Sequence, residues 1–463
     1  MQVCRQVSWF KFCFLTFGNH AIMGFSWRRM FQSQSQGNQS RVILHCDLNN
    51  FFASVAMKLH PELRGKYIAV CGNPDLRKGI VLAKSENAKR MGVKTGMAIW
   101  EAKRVCPEIE IVPTEYNAYE KYSKRVQAIY YRFTNQVESF GIDECWLDVT
   151  HSQKMFGNGL QIADKIRNAV KSELGLTISV GVSFNKTYAK LGSDLAEPDA
   201  VVAITLENYQ QLIYPLPLGS LLFVGKKTQA LLTKLNINTI GDLANYDVNL
   251  LKSFLGINAE KLIAAARGED YSDVSDYLFH EVPRSVGNGT TAPFDLTSKK
   301  EVEAVLYLLA EKIAFRLRQH NLQGYTIHLS IKDTMLHWCG AQTSLPYPTH
   351  AVLTIRRTAS AIFDQLWIQK PFRPVRALRI AVANLTDAPN LQTNLLADLN
   401  DEVKNQALDN AFDKIRRKYG TGQVMLGGTM QSYQKLGFTL NMYDCDNVTQ
   451  MTSDNINQED IEF

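Results

Sequence analysis

The chain has 463 residues, 45% hydrophobic and 21% charged, with 51 Lys and Arg against 45 Asp and Glu for a formal net charge of +6. These proportions exclude a disordered or fibrous chain, the length calls for roughly two to four domains, and no apolar run approaches the ~20 residues of a membrane span. The eight cysteines (Cys4, Cys13, Cys46, Cys71, Cys106, Cys145, Cys339, Cys445) form no C-x-x-C pair, which argues against a zinc site or a disulfide framework and for reduced thiols in a cytosol.

Residues 1–41 carry five basic side chains and no acid. With a short apolar run at Phe12–Phe17 and a polar one at Gln32–Ser40, residues 1–40 read as an N-terminal extension, disordered or mis-started; a targeting segment is the rival reading. Val42-Ile43-Leu44-His45-Cys46 then reads as a buried strand delivering Asp47 at its end. A helix through Phe51, Phe52, Val55 and Leu59 stops before Pro61. Tyr67–Gly72 and Gly79–Ala83 read as strands, and helical spacing returns at Ser85–Arg90 and Ile99–Val105. Val137–Phe140 and Cys145–Val149 read as strands meeting at Gly141, with Asp143 and Glu144 between them. Neighbouring strand residues face opposite sides, so two such side chains converge only at a bend, which Gly141 suits. A helix (Gly159–Leu174), a strand (Thr177–Val182) and a helix carrying Lys190 follow. Residues 42–281 balance 27 basic against 27 acidic residues.

Phe223-Val224-Gly225-Lys226-Lys227-Thr228 and Phe254-Leu255-Gly256-Ile257 look like paired helix-hairpin-helix units, whose hairpin N–H groups around Gly225, Lys226 and Gly256 can hold a DNA phosphate. Residues 270–283 are polar and read as a linker. Beyond it, strands near Ser285–Thr291, Tyr325–Lys332 and Val375–Leu385 and helices at Lys299–Gln319 and Leu353–Leu366 fit a small sheet with helices on one face. Residues 282–388 hold 13 basic against seven acidic residues. Arg356-Arg357 and Arg373, Arg376 and Arg379 are the densest groups, either a phosphate grip that ignores sequence or a solvated basic face. Residues 389–463 hold six basic and 11 acidic residues, and the end after 440 reads as disordered.

Asp47, Asp143 and Glu144 carry the chemistry. Strand ends and turns are ordinary places for Asp, and spacing alone leaves that reading open. The apolar approaches to both sites make uncompensated charge expensive. Hard oxygen ligands select Mg²⁺ or Mn²⁺ over zinc, and two such ions about 3.5–4 Å apart can activate a nucleophilic oxygen and neutralise a leaving pyrophosphate.

Arg41-Val42-Ile43-Leu44-His45-Cys46-Asp47-Leu48-Asn49-Asn50-Phe51-Phe52-Ala53-Ser54-Val55 resembles the opening motif of Y-family DNA polymerases. Phe140-Gly141-Ile142-Asp143-Glu144-Cys145-Trp146-Leu147-Asp148 is similar to the family's second acidic motif, and Gly181–Leu191 to its third. Ser285-Val286-Gly287-Asn288-Gly289-Thr290-Thr291 matches the strand that opens the family's C-terminal DNA-binding domain. The likeness runs in order from about 41 to 430 and is closest to the bacterial polymerase IV-like branch. It implies that Asp47, Asp143 and Glu144, with the backbone carbonyl of Leu48, are metal ligands for two Mg²⁺ ions, Mn²⁺ substituting. It implies that Phe52 is the steric gate against a ribonucleotide 2′-OH, that Phe51 also lies at the nucleotide, and that Lys89 and Lys190 reach the triphosphate. From helical spacing alone Phe52 is a core aromatic. The chain departs from the pattern at Asn50, where an aromatic is common, at Ala56 in place of Glu, at Gly141 in place of Ser, and at Glu86, where a phosphate-contacting Tyr is usual. Lys89 stands where Arg is frequent. A carboxylate beside a triphosphate repels it unless rotated away.

The resemblance implies an α+β right hand: palm at 41–50 and 116–206, fingers at 51–115, an all-α helix-hairpin-helix thumb at 207–275, a linker at 276–284, a DNA-binding α+β little finger at 285–388, and a C-terminal segment at 389–463. The expected function is low-fidelity, translesion, template-directed DNA synthesis in DNA repair and the SOS response. Its expected partners are primer–template DNA and deoxynucleoside triphosphates, acting as a cytoplasmic monomer without a membrane partner. Gln434-Lys435-Leu436-Gly437-Phe438 vaguely resembles a peptide that docks on the replicative sliding clamp. A catalytically weak or silent DNA-binding accessory protein on the same fold is the alternative. A palm-type nucleotide cyclase has no use for a thumb or a basic C-terminal domain.

Overall fold

The structure is a computed structural model, and it describes residues 41–73, 79–277, 283–367, 373–387, 400–419 and 424. The expected targeting or extension segment at 1–40 and the clamp-like stretch Gln434–Phe438 lie outside them.

The chain opens with β1 (Ile43–Leu48), turns into α1 (Phe51–Leu59) and continues through β2 (Ile68–Cys71), β3 (Val81–Lys84), α2 (Glu86–Arg90), α3 (Ile99–Val105), β4 (Glu110–Pro113) and α4 (Tyr116–Tyr131). Next come the hairpin β5 (Val137–Ser139) and β6 (Glu144–Asp148), then α5 (Gln153–Phe156), α6 (Gly159–Leu174), β7 (Ile178–Ser183), α7 (Lys186–Leu195) and β8 (Val201–Ala203). β1 lies at the centre of a five-stranded sheet, order β5-β6-β1-β7-β8, antiparallel to both β6 and β7. Its period-two alternation sends Leu44, Cys46 and Leu48 into a core built with α1, α4 and α6, while Ile43 packs on the opposite face with Trp146 and Ala189 of α7.

α7 reaches that second face because β7 carries Gly181. A Cβ built there would lie 1.9 Å from the Ala189 carbonyl oxygen and 2.4 Å from Ser193 N. A separate three-stranded sheet, β3-β2-β4, surrounds a small core with Ala88 of α2 and Ala102 of α3.

Five short helices follow: α8 (Tyr209–Ile213), α9 (Lys226–Lys234), α10 (Ile240–Asn245), α11 (Val248–Leu255) and α12 (Asn258–Arg267). They share a core with Tyr188 and Leu191 of α7. Thr239 and Asp247 cap α10 and α11 through their side chains. Much of the polar linker then lies pinned to the first sheet. Asp270 accepts from Thr187 Oγ1 at 2.8 Å, and Glu138 accepts from Ser275 N at 2.9 Å and Lys186 Nζ at 2.6 Å.

The last unit is an antiparallel sheet, β11-β10-β12-β9, made of β9 (Ser285–Leu296), β10 (Leu322–Asp333), β11 (Trp338–Thr349) and β12 (Val375–Asp387). α13 (Lys299–Gln319) and α14 (Val352–Trp367) cover one face. β11 was not among the sequence-based expectations. It is an edge strand, largely exposed, interrupted by Pro346 and Pro348, and so lacks the apolar alternation that marks a strand with a buried face. α15 (Asn400–Tyr419) was also unexpected, because charges hold it in place. Arg318 of α13 donates to Asp413 at 2.7 Å and Asp409 at 3.3 Å, Arg416 donates to Glu311 at 2.8 Å, and Glu402 accepts from Thr349 and Thr354. Among the described residues no helix is long and apolar enough to cross a membrane.

Gly181→Ala should cost about 3 kcal/mol or more, or prevent folding, because its methyl meets backbone on a helix that cannot retreat without unpacking. Urea unfolding monitored by circular dichroism checks it.

Candidate active site

The strands themselves gather the carboxylates. Asp47, near the end of β1, stands directly across from Glu144, the first residue of β6. Asp143 is drawn in by the chain turn: Leu48 N donates to its carbonyl at 3.1 Å, and the N–H groups of Phe140 and Gly141 both point to Glu144 O, at 3.0 and 3.4 Å. A side chain at Gly141 would put a Cβ 3.3 Å from Asp143 Oδ1, so the glycine leaves the carboxylate its room.

α7 supplies the cation. Lys190 Nζ lies 2.6 Å from Glu144 Oε2 and 3.5 Å from Asp194. His45 Nε2 lies 3.2 Å from the same Glu144 oxygen, and its Nδ1 lies 2.7 Å from Ser193 Oγ. Burial raises the Glu144 carboxyl, but the contacts from His45 and Lys190 outweigh it and hold the group at about 2. The other two feel Lys190 only at longer range, and its charge does not offset what raises them. Burial, then the charges of Glu144 and Asp143, pushes Asp47 up to about 7; burial, then Glu144, pushes Asp143 up to about 6. Burial lowers His45.

Among the described residues no three His, Cys, Asp or Glu side chains form a ready-made cation cage. Glu144 is turned to Lys190, while Asp47 and Asp143 remain two crowded, uncompensated oxygen donors. That donor set fits a hard divalent cation, which would remove the repulsion that raises both groups.

Phe52 lies flat on Tyr119 of α4, ring centroids 4.1 Å apart and planes 8° from parallel, with Tyr116 edge-on at 5.9 Å. Phe51, its neighbour, turns its ring into the core, which leaves its backbone in the first turn of α1 as the part able to meet a ligand. Two of the sequence departures, Asn50 and Glu86, face each other. Asn50, in the left-handed region at φ 48°, donates from Nδ2 to Glu86 Oε2 at 3.3 Å, and Lys89 Nζ lies 3.7 Å from the same carboxylate oxygen. Glu86 is thereby turned toward the start of α1 and paired with Lys89.

The expected DNA contacts fall at separate places. Gly225 precedes α9, with Lys226 exposed beside it, and Gly256 ends α11 at φ 59°; neither glycine has another atom within 4 Å of a built Cβ. Arg356 is engaged by Glu303 at 3.6 Å, and Arg357 is exposed on the helix layer. On the sheet's uncovered face, Arg379 lies beside Ser330 and Gly289 in register, a placement that sequence density alone did not separate from the helical arginines. Sequence reasoning also passed over His45, Ser193 and Tyr119. The signal for His45 is its place two residues before Asp47 on the same strand face.

The family model described as impB/mucB/samB family matches residues 46–194, and that for the family's C-terminal domain matches residues 283–395. Among curated proteins, DNA polymerase IV of Acetivibrio thermocellus is 44% identical over 392 residues, covering 84% of this chain and 98% of the relative. DNA polymerase IV of Moorella thermoacetica is 37% identical, covering 82% and 93%, and DNA polymerase IV 1 of Bacillus subtilis is 34% identical, covering 85% and 94%. Among solved structures, a Y-family DNA polymerase chimera superposes with a TM-score of 0.66 at 23% identity, over 76% of this chain and all of that one.

The raised carboxyls set a pH dependence. Unfolded, both ionise near pH ~4; folded, they keep their protons to about 6 and about 7, so between these values the native state binds more protons and stability falls as pH rises. Asp47→Asn should therefore stabilise the metal-free protein by on the order of 2 kcal/mol at about pH 8 and by little at about pH 4. Denaturant unfolding in the presence of a chelator at both pH values checks it.

Proposed function

The chain belongs to the impB/mucB/samB family of Y-family DNA polymerases and is a DNA-directed DNA polymerase, and we propose that it extends primers past damaged template bases at low fidelity. The observation that carries this reading is the corner from Asp47 to Phe52. Crowded carboxylates stand at one end, and at the other an aromatic ring is braced where a sugar would be tested.

The reaction is in-line attack of the primer 3′-oxygen on the α-phosphorus of a deoxynucleoside triphosphate. A new P–O bond forms, the bond to the bridging oxygen breaks, and pyrophosphate leaves. Asp47, Asp143 and Glu144, with the Leu48 carbonyl, would hold two Mg²⁺ ions or Mn²⁺ in their place. Bound there, the cations supply charge neutralisation and a lowered pKa for the attacking hydroxyl. The remaining work falls to the chain. Lys89 and the α1 backbone at Phe51 receive phosphate oxygens, and Lys190 joins them by giving up part of its hold on Glu144. Phe52, fixed on Tyr119, denies space to a 2′-hydroxyl.

In this reading residues 41–50 and 116–206 are the palm and 51–115 the fingers. The fingers comprise α1, a three-stranded sheet and two further short helices, too little to wrap the nascent base pair. A site that checks base-pair shape weakly admits distorted templates, which supports low fidelity and lesion bypass. The helical thumb at 207–275 grips the duplex through its hairpin glycines, and the little finger at 285–388 does so through its uncovered sheet face. The linker spans 276–284 and the C-terminal segment 389–463. The Glu86 carboxylate that suggested a silent accessory protein is held by Asn50 and Lys89, which weakens the case for that alternative.

Primer extension with Mg²⁺ on damaged and undamaged templates tests the proposal. The wild type should extend both, and Asp143→Ala should lose about a thousandfold or more of the rate; a wild type that does not extend, or an Asp143→Ala variant that extends normally, sinks it. Phe52→Ala should raise the ribonucleotide-to-deoxynucleotide ratio of kcat/KM by about tenfold to a hundredfold, and an unchanged ratio rejects the gate.

A further inference from the structure

His45 is completely buried, yet it is not a core residue of the ordinary kind. It precedes Asp47 by two positions and shares its strand face. Its ring meets Trp146 edge-on with centroids 5.3 Å apart, and α7 closes over it from above Gly181. The polar groups around it are Ser193, Glu144, Lys190 and Asp194. Nδ1 is satisfied by Ser193 Oγ at 2.7 Å. Nε2 lies 3.2 Å from Glu144 Oε2 but off the line of a hydrogen bond, so it is a buried nitrogen without a full partner. Native interiors rarely leave such an atom idle.

Lys190 is the nearer donor to the same Glu144 carboxylate oxygen, at 2.6 Å. In the reaction proposed above, on which this inference rests, the Lys190 ammonium is also needed at the triphosphate. Its four-carbon stem lets it turn there, and each phosphate oxygen it meets draws it off the carboxylate. The His45 ring, on the central strand, cannot follow. We propose that His45 is a positioning residue whose Nε2–H takes over Glu144 when Lys190 turns to the nucleotide, keeping that carboxylate aimed at the cation site.

Ser193 sets the ring for this role. Its hydroxyl has one hydrogen and two acceptors within reach, Lys190 O at 2.8 Å and His45 Nδ1 at 2.7 Å. With that hydrogen on Nδ1, the ring N–H stands at Nε2 and faces Glu144. Partners that orient a ligating carboxylate in this way typically change metal affinity or activity by about 10–100-fold when removed.

The test is Mn²⁺ binding, followed by electron paramagnetic resonance, to the full chain on primer–template DNA with a non-hydrolysable deoxynucleoside triphosphate. His45→Leu should weaken Mn²⁺ binding about tenfold or more, and His45→Gln, whose amide can reach Glu144, should recover to within about threefold of wild type. A folded His45→Leu protein that binds Mn²⁺ like wild type overturns the proposal. So does a Gln variant as weak as the Leu variant, since ring packing would then be the whole role. Should the Leu variant fail to fold, Ser193→Ala decides, because it keeps the ring: weakened binding supports the proposal and unchanged binding overturns it. Asp143→Ala is the control for the underlying reading. Unchanged Mn²⁺ binding there counts against the carboxylate site itself, independently of His45.

Discussion

Three carboxylates brought to one end of a buried antiparallel pair repel one another, and nearly every feature around them follows from managing that repulsion. One charge is settled inside the protein by Lys190. The other two are left under pressure, seen in the upward displacement of Asp47 and Asp143. A site neutralised completely by its own lysines would have no call for a cation, and one with no internal cation would be hard to fold. The arrangement stands between the two, stable enough to form and unsettled enough to bind.

That balance depends on distances the backbone imposes. Lys190 reaches Glu144 because α7 lies tight on β7, and it does so because residue 181 has no side chain. The same approach brings Ser193 over His45. One missing methyl group thus sets the position of a lysine, a serine and a buried imidazole. On the other flank, the stacking of Phe52 on Tyr119 joins α1 to α4, so the ring proposed as the gate is braced by a helix that also fills the core.

Much of this was legible in the sequence. Asp47, Asp143 and Glu144 each follow an apolar run or a glycine bend, and the strands and long helices emerge where their periodicities are clean. What escaped did so for physical reasons. The Asn50–Glu86 contact joins residues 36 apart at the starts of two helices, and the His45–Ser193 contact joins residues 148 apart, so neither leaves a local signature. Phe51 and Phe52 read alike in sequence, but adjacent helical positions point about 100° apart, and one ring is buried in the core while the other lies half-buried against Tyr119 at its edge. α15 was invisible to hydrophobic patterning because its inward face is made of Glu402, Asp409, Asp413 and Arg416. Arginine density marks Arg356, Arg357 and Arg379 alike, and only the alternation along β12 turns Arg379 to the uncovered face of the sheet.

Asn50 has a wider meaning. Its left-handed backbone ends a strand and begins a helix within two residues, so Asp47 and Phe52 belong to one short, stiff elbow of chain. In the proposed reaction, the carboxylate corner at Asp47 and the ring proposed to check the sugar are therefore held a short, fixed stretch of chain apart. Under the proposed function, strictness about the sugar of the incoming nucleotide then comes from that short elbow, and leniency about the template base from the small size of the fingers.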